Sequence, residues 1–143
     1  MTEITFTIMG SIPSKKNGKK IVPVRGRATI VSNGNYQRWE RNAKHSLGIQ
    51  KIMIGTHKFP IIQASVEIEF YFKDLRPHDL SNSCEGILDA LVLAEVFPDD
   101  SWRFVPTLTL RAMGVDRKDA RAVIRIRTLD DSLKNKSENK STK

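Results

Sequence analysis

Between residues 66 and 73, Val66, Ile68, Phe70 and Phe72 alternate with Glu67, Glu69, Tyr71 and Lys73. Successive strand residues point to opposite faces, so this two-residue period demands a strand with one buried and one polar face. Such a strand cannot stand alone: it needs neighbours along its edges and a layer over its apolar side. Neighbours are legible elsewhere. Ile4, Phe6 and Ile8 alternate with Thr5 and Thr7 up to Gly10, and Ala122, Ile124 and Ile126 face one way while Arg121, Arg125 and Arg127 face the other. A further strand is predicted from about Arg103 to Ala112, bent or bulged at Pro106.

The covering layer comes from two helices. Tyr36, Trp39, Ala43 and Leu47 recur at helical spacing within Asn35 to Leu47, with Arg38, Arg41 and His45 on another face. Cys84, Ile87, Leu88 and Leu91 mark the buried stripe of a second helix from about Asn82 to Ala94, closed by the Phe97-Pro98 turn. Ser11 to Gly18 reads as loop. Ile21 to Val31 reads as a small hairpin with Arg25-Gly26-Arg27 at its turn and Pro23 on an irregular or edge arm. Residues 52 to 63, broken by Gly55 and Pro60, read as a connection, and Asp74 to Leu80 as a turn. The order β, hairpin, α, β, α, β, β predicts an α+β domain, a mixed sheet covered by two main helices with a basic hairpin appended.

The length of 143 residues is that of one domain, assigned to 1–129, and the Ser-, Asn-, Lys- and Asp-rich residues 130–143 read as a disordered tail. The most apolar run, Ile87 to Phe97, contains Asp89 and Glu95 and is far shorter than the ~20 residues a membrane span needs. No signal peptide is read at the start. With a single cysteine, Cys84, an internal disulfide is excluded and a cytoplasmic protein is expected.

Charge is unevenly distributed. The net +8 divides into +9 over residues 15–51, −7 over residues 67–100 and +5 over residues 101–129. A basic chain suits an anionic partner, but an acidic island repels phosphate unless a cation intervenes. Basic arms would hold a nucleic-acid backbone by releasing counterions, and clustered carboxylates would hold Mg²⁺ through hard oxygen ligands. A solvated acidic face is the plainer alternative.

The acids of the island bracket the second helix. Asp79 precedes it, Glu85 and Asp89 stand one turn apart on it, and Asp99-Asp100 lie in the returning turn. Their convergence at one end of the sheet is expected. Each has a structural alternative: Asn82 to Glu85 has the spacing of a capping box, Asp79 suits an Asx turn, and Asp99-Asp100 suit an ordinary turn. No zinc site, Gly-rich phosphate loop or hydrolase triad is present in the pattern.

Gly10-Ser11-Ile12-Pro13-Ser14-Lys15-Lys16-Asn17, the Asp79-x-x-Asn82 motif opening a helix, Asp89-Ala90-Leu91 within it and Asp99-Asp100 before the next strand together resemble the RusA family of Holliday-junction resolvases, over roughly residues 4 to 128. The resemblance implies a Mg²⁺-dependent endodeoxyribonuclease, with Mn²⁺ as a possible substitute. It would act as a homodimer on branched double-stranded DNA, cut two opposed strands and use no small-molecule substrate. Two positions depart from the family pattern. Ser81 stands where a catalytic Asp is usual, and Glu85 where a Lys is common.

On that resemblance Asp79, Asp100 and Glu85 are the expected catalytic residues. The metal is expected on these three with Asp89 and Asp99, Glu85 making up for Ser81. Lys15, Lys16, Asn17, Lys19, Lys20, Arg25, Arg27, Arg38, Arg41 and Arg103 are expected on DNA, where backbone contacts position without reading sequence. Trp102 and Phe104 read as core or interface packing, with wedges at the junction as the alternative. The competing function is a non-catalytic module that binds DNA junctions, and a small basic RNA-binding protein is a third reading.

Overall fold

In a computed structural model, which describes residues 2–13, 19–32 and 34–128, the apolar residues of three strands fall into register. The strands are β1 (Glu3–Met9), β4 (Ala64–Phe72) and β6 (Arg121–Thr128). Ile126 lies between Ile4 and Val66, Ile124 between Phe6 and Ile68, and Ala122 between Ile8 and Phe70. All nine are buried, because the two-residue period of each strand puts its apolar set on the same side. Strand β5 (Thr107–Val115) joins β4 in parallel, completing a mixed sheet of order β1-β6-β4-β5.

Parallel neighbours need a crossover, here supplied by helix α2 (Leu80–Leu93). Helix α1 (Gly34–Ile54) buries Tyr36, Trp39, Ala43 and Leu47 in the same core as Cys84, Ile87, Ala90 and Leu91 of α2. The result is one α+β domain with two helices layered on a mixed four-stranded sheet, as the strand and helix periods predict. β2 (Lys19–Val24) and β3 (Arg27–Ser32) form the separate two-stranded hairpin, with Arg25-Gly26 at its tip. Lys15, Lys16, Asn17 and the 130–143 tail lie outside the described residues. No helix among the described residues is long and apolar enough to cross a membrane.

The opposite face of the sheet carries the charges. Arg111 meets Glu67 at 2.8 Å, Arg125 meets Glu69 at 2.9 Å and Arg127 meets Glu3 at 3.3 Å. These cross-strand pairs account for two acids of the −7 segment and for three arginines of the +5 segment. Segment charge therefore overstated both. Opposite signs that are distant in sequence cancel once β4, β5 and β6 lie side by side.

Four boundaries differ from the sequence reading. Helix α1 runs seven residues beyond Leu47, because Ile49, Ile52 and Met53 are exposed and break the apolar period that would have announced the extension. It ends at Gly55, whose φ of 126° few other residues adopt. Helix α2 starts at Leu80 rather than Asn82, since Asp79 caps it. The third difference is that β5 starts only at Thr107, after Pro106. Last, the bulge expected at Pro106 lies opposite Phe70/Tyr71, where register passes from Ala112 to Gly114 and leaves Met113 as the extra residue. Phe104 packs against the core, whereas Trp102 is 74% exposed and lies outside it, which removes the core alternative read for it.

Two devices hold the ends of these elements. The Gln50 side chain accepts from Thr7 N–H at 2.9 Å and donates to Thr7 C=O at 2.8 Å, so one amide closes the outer edge of β1 as a paired strand would. Past α2, Val96 N–H bonds Leu91 C=O and Glu95 N–H bonds Val92 C=O, which is a Schellman motif with buried Leu91 and Val96 packed at its apolar position. Its left-handed residue is Glu95 at φ 60°, where glycine is usual. Replacing Glu95 by Gly should raise stability by about 1 kcal/mol in urea unfolding, since the side chain strains that conformation. An unchanged or lowered midpoint would contradict the assignment.

Candidate functional site

Asp79 is the residue on which the entry into α2 turns. Its Oδ1 accepts from Ser81 N–H at 2.9 Å, from Ser81 Oγ–H at 2.7 Å and from Asn82 N–H at 3.4 Å. A carboxylate there satisfies amides that the helix leaves unpaired and lies at the favourable end of its dipole. The capping-box reading of Asn82 and Glu85 is thereby corrected, since Asp79 holds the cap position. Ser81 lends its hydroxyl to that cap. Capping explains Asp79 structurally without removing its charge.

Of the remaining acids, Glu85 and Asp89 stand one turn apart on α2. Cys84, buried and free, has its thiol pushed up to about 11 by burial and then by the charges of Glu85 and Asp100. The Tyr36 hydroxyl on α1 is pushed up by burial and then by Glu40, Asp89 and Glu85. Glu85 thus acts on both buried groups, while Asp100 reaches one and Asp89 the other. Asp100 lies exposed in the turn that follows buried Val96 and Phe97.

On the same helix, Asn82 Oδ1 is buried without a hydrogen bond. A buried, orphaned carbonyl oxygen is a feature that a hard cation satisfies, and the oxygens of Asp79, Asn82 and Glu85 are of the type Mg²⁺ takes. Donor chemistry and charge fit the ion. Closure does not follow from them: among the described residues no three His, Cys, Asp or Glu side chains are drawn together closely enough to hold a metal. Asp99 and Asp100 are both exposed.

Beside the flank opens a cleft of about 640 Å³. It lies where the ends of β1 and β4 meet the first turns of both helices, the crevice at strand C-terminal ends where sheets with crossovers receive ligands. His78 and Ser83 line it and bracket Asp79 in sequence. Arg38, Lys73 and Arg121 supply positive charge.

Of the residues expected on DNA, Arg38 lines the cleft and Arg41 is exposed on the same helix. Arg25 is exposed at the hairpin tip, and Lys19, Lys20 and Arg27 lie on its strands. Arg103 is exposed in the turn before β5, its guanidinium 5.9 Å from the Trp102 ring centre. Sequence reasoning missed Tyr36, Trp39, Lys73, His78 and Arg121. Tyr36 and Trp39 passed as ordinary core residues, and only Lys73 and His78, flanking the turn before Asp79, carried a local signal.

Neither family models nor the curated proteins contain a match to this chain.

The raised thiol and phenol fix the alkaline behaviour. Each group is held in its neutral form by the fold, so its contribution is intact below the unfolded pKa and is lost as pH rises through the folded one. Stability should therefore fall from about pH 9.0 toward about 11 as Cys84 and then Tyr36 are affected. Cys84→Ala should remove the earlier part of the loss and Tyr36→Phe the later part, read as melting temperature against pH.

Proposed function

We propose that the protein is a Mg²⁺-dependent endodeoxyribonuclease that nicks branched DNA in the manner of the RusA resolvases that its motifs resemble. The observation that carries this reading is the start of α2, where Asp79 caps the helix, Glu85 and Asp89 stand one turn apart on it, and Asn82 Oδ1 is buried without a hydrogen bond. Asp79, Glu85 and Asp100 would hold the ion, with Asp89 and Asp99 at the margin. Bound there, Mg²⁺ supplies an acidified water and neutralises charge at the scissile phosphate.

The chain's own residues do the rest. Asp79 accepts the Ser81 amide at the helix start, the end of the dipole that favours negative charge. Glu85 provides the carboxylate that Ser81 lacks. Arg38, Arg41 and the hairpin basic residues hold phosphates by charge, a grip that weakens steeply with salt. Two such sites in a homodimer would give paired nicks. The outer edge of β5 is exposed over most of its length, with Leu108, Met113 and Val115 among its exposed side chains, and suits a second copy.

A second reading is supported by Ser81 and by the lack of a closed three-acid group among the described residues. In it the protein binds DNA junctions without cutting them. The two separate on Mg²⁺-dependent nicking of a synthetic four-way junction and on Mg²⁺-dependent melting. Asp100→Asn should abolish nicking while leaving junction binding intact.

Asp79 offers a sharper division, because Asn caps helices as well as Asp does. Asp79→Asn should therefore keep the melting temperature and lose nicking, whereas Asp79→Ala should lose nicking and about 1 kcal/mol of stability. Full nicking by both Asp79→Asn and Asp100→Asn would overturn the nuclease assignment.

A further inference from the structure

The cleft beside α2 has a composition that phosphate gripping alone does not require. Its cations alternate with rings: Trp39, Tyr71, Phe72 and His78 line it together with Arg38, Lys73 and Arg121. Aromatic faces interleaved with positive charge are how proteins take single strands, since every base offers a face to stack on and every nucleotide a phosphate. We propose that this cleft receives one unpaired nucleotide of the branched DNA, its base among the rings and its phosphate against Arg38 and Lys73. The inference rests on the DNA-binding part of the reading above and goes beyond it by naming the structural element that is recognised.

Several features show that the cleft is already built for such an occupant. The His78 ring is stacked on Phe72 at 4.2 Å with 3° between planes, and Asp74 holds it at 2.9 Å. Arg121 lies 3.9 Å over the Tyr71 ring and is fixed by Asp116 at 2.9 Å. These carboxylates set the orientation of rings and cation before anything binds. By contrast Arg38 and Lys73 have no carboxylate partner among the described residues, so their charge is available to a phosphate. Trp39 is nine-tenths buried, and its indole Nε1–H has no acceptor. An unpaired base brings carbonyl and ring-nitrogen acceptors that a duplex keeps engaged.

Size and position agree. A volume of about 640 Å³ lies within the range of small-molecule pockets, about 300 to 1,000 Å³, and a concavity of that kind admits a nucleotide rather than a helix. Because His78 and Ser83 line the cleft on either side of Asp79 in sequence, a nucleotide seated there presents its phosphodiester to the acidic flank. Extruding a base costs least where it is already unpaired, so the cleft selects branch points over continuous duplex without reading sequence.

Trp39 reports on its own cleft. The chain has two tryptophans, and Trp102→Phe leaves Trp39 alone. With EDTA present, a 5′-phosphorylated thymidine dinucleotide should quench Trp39 emission saturably and a short blunt duplex should not. Arg38→Gln and Lys73→Gln should each weaken the dinucleotide about tenfold, while Arg111→Gln, which removes the same charge from the other face of the sheet, leaves it unchanged. Melting temperatures of the variants establish that they are folded. Absence of a saturable response, an equal response to the duplex, or equal weakening by Arg111→Gln would overturn the inference. Junction nicking without a Trp39 response retires the nucleotide cleft and leaves the nuclease; a Trp39 response without Mg²⁺-dependent nicking does the reverse.

Discussion

Burial of one stripe of α2 is the constraint from which the rest of the arrangement follows. Cys84, Ile87, Ala90 and Leu91 belong to the same core as the inner faces of β1, β4 and β6, which fixes how the helix is rotated about its axis. Once that rotation is set, Glu85 and Asp89 have to emerge beside the stripe, on the flank that Tyr36 of α1 also meets. The parallel pairing of β4 and β5 then obliges the chain to return after α2, through a turn that buries Val96 and Phe97. Apolar burial of a Leu or Ile side chain contributes about 1.5–3 kcal/mol. That is enough, several times over, to hold like charges near one another against their repulsion.

The same packing sorts the charges into two populations. Glu3, Glu67 and Glu69 are committed to arginines on the outer face of the sheet; the exposed pairs of Glu3 and Glu67 contribute about 0–1 kcal/mol each, while Glu69 is buried against Arg125. Asp74 and Asp116 serve the cleft. Burial tends to raise Asp74, but the Arg76 amide and His78 outweigh it and hold its carboxyl below the ordinary range. The hydrogen bond from Arg121 lowers Asp116. Asp79 caps α2, Glu85 and Asp89 stand on it, and Asp100 lies in the turn that follows.

The fold was legible because its strands are amphipathic with a strict period and its helices carry one apolar stripe each. What the pattern concealed has specific causes. The last turns of α1 bear Ile49, Ile52 and Met53 on exposed faces, so apolar content there signals nothing about the helix. The bulge at Met113 depends on the pairing of β5 with β4, not on Pro106. Among the acids, Asp79, Glu85, Asp89 and Asp100 could be named from their spacing around a helix, whereas the cleft could not, since Trp39, Phe72, His78 and Arg121 come from four separate stretches of chain. Segment charge pointed to the right neighbourhood for a partly wrong reason, because a share of the −7 is neutralised across strands.

The central claim is that the carboxylates along α2, together with Asn82 Oδ1, take up a divalent cation. Anomalous diffraction from a crystal of the protein soaked in Mn²⁺ tests it directly. The account predicts a single strong peak bounded by Asp79, Glu85 and Asp100, with the side chains drawn in and Asn82 Oδ1 satisfied. Carboxylates that stay apart along the helix, with no anomalous density between them, would contradict it.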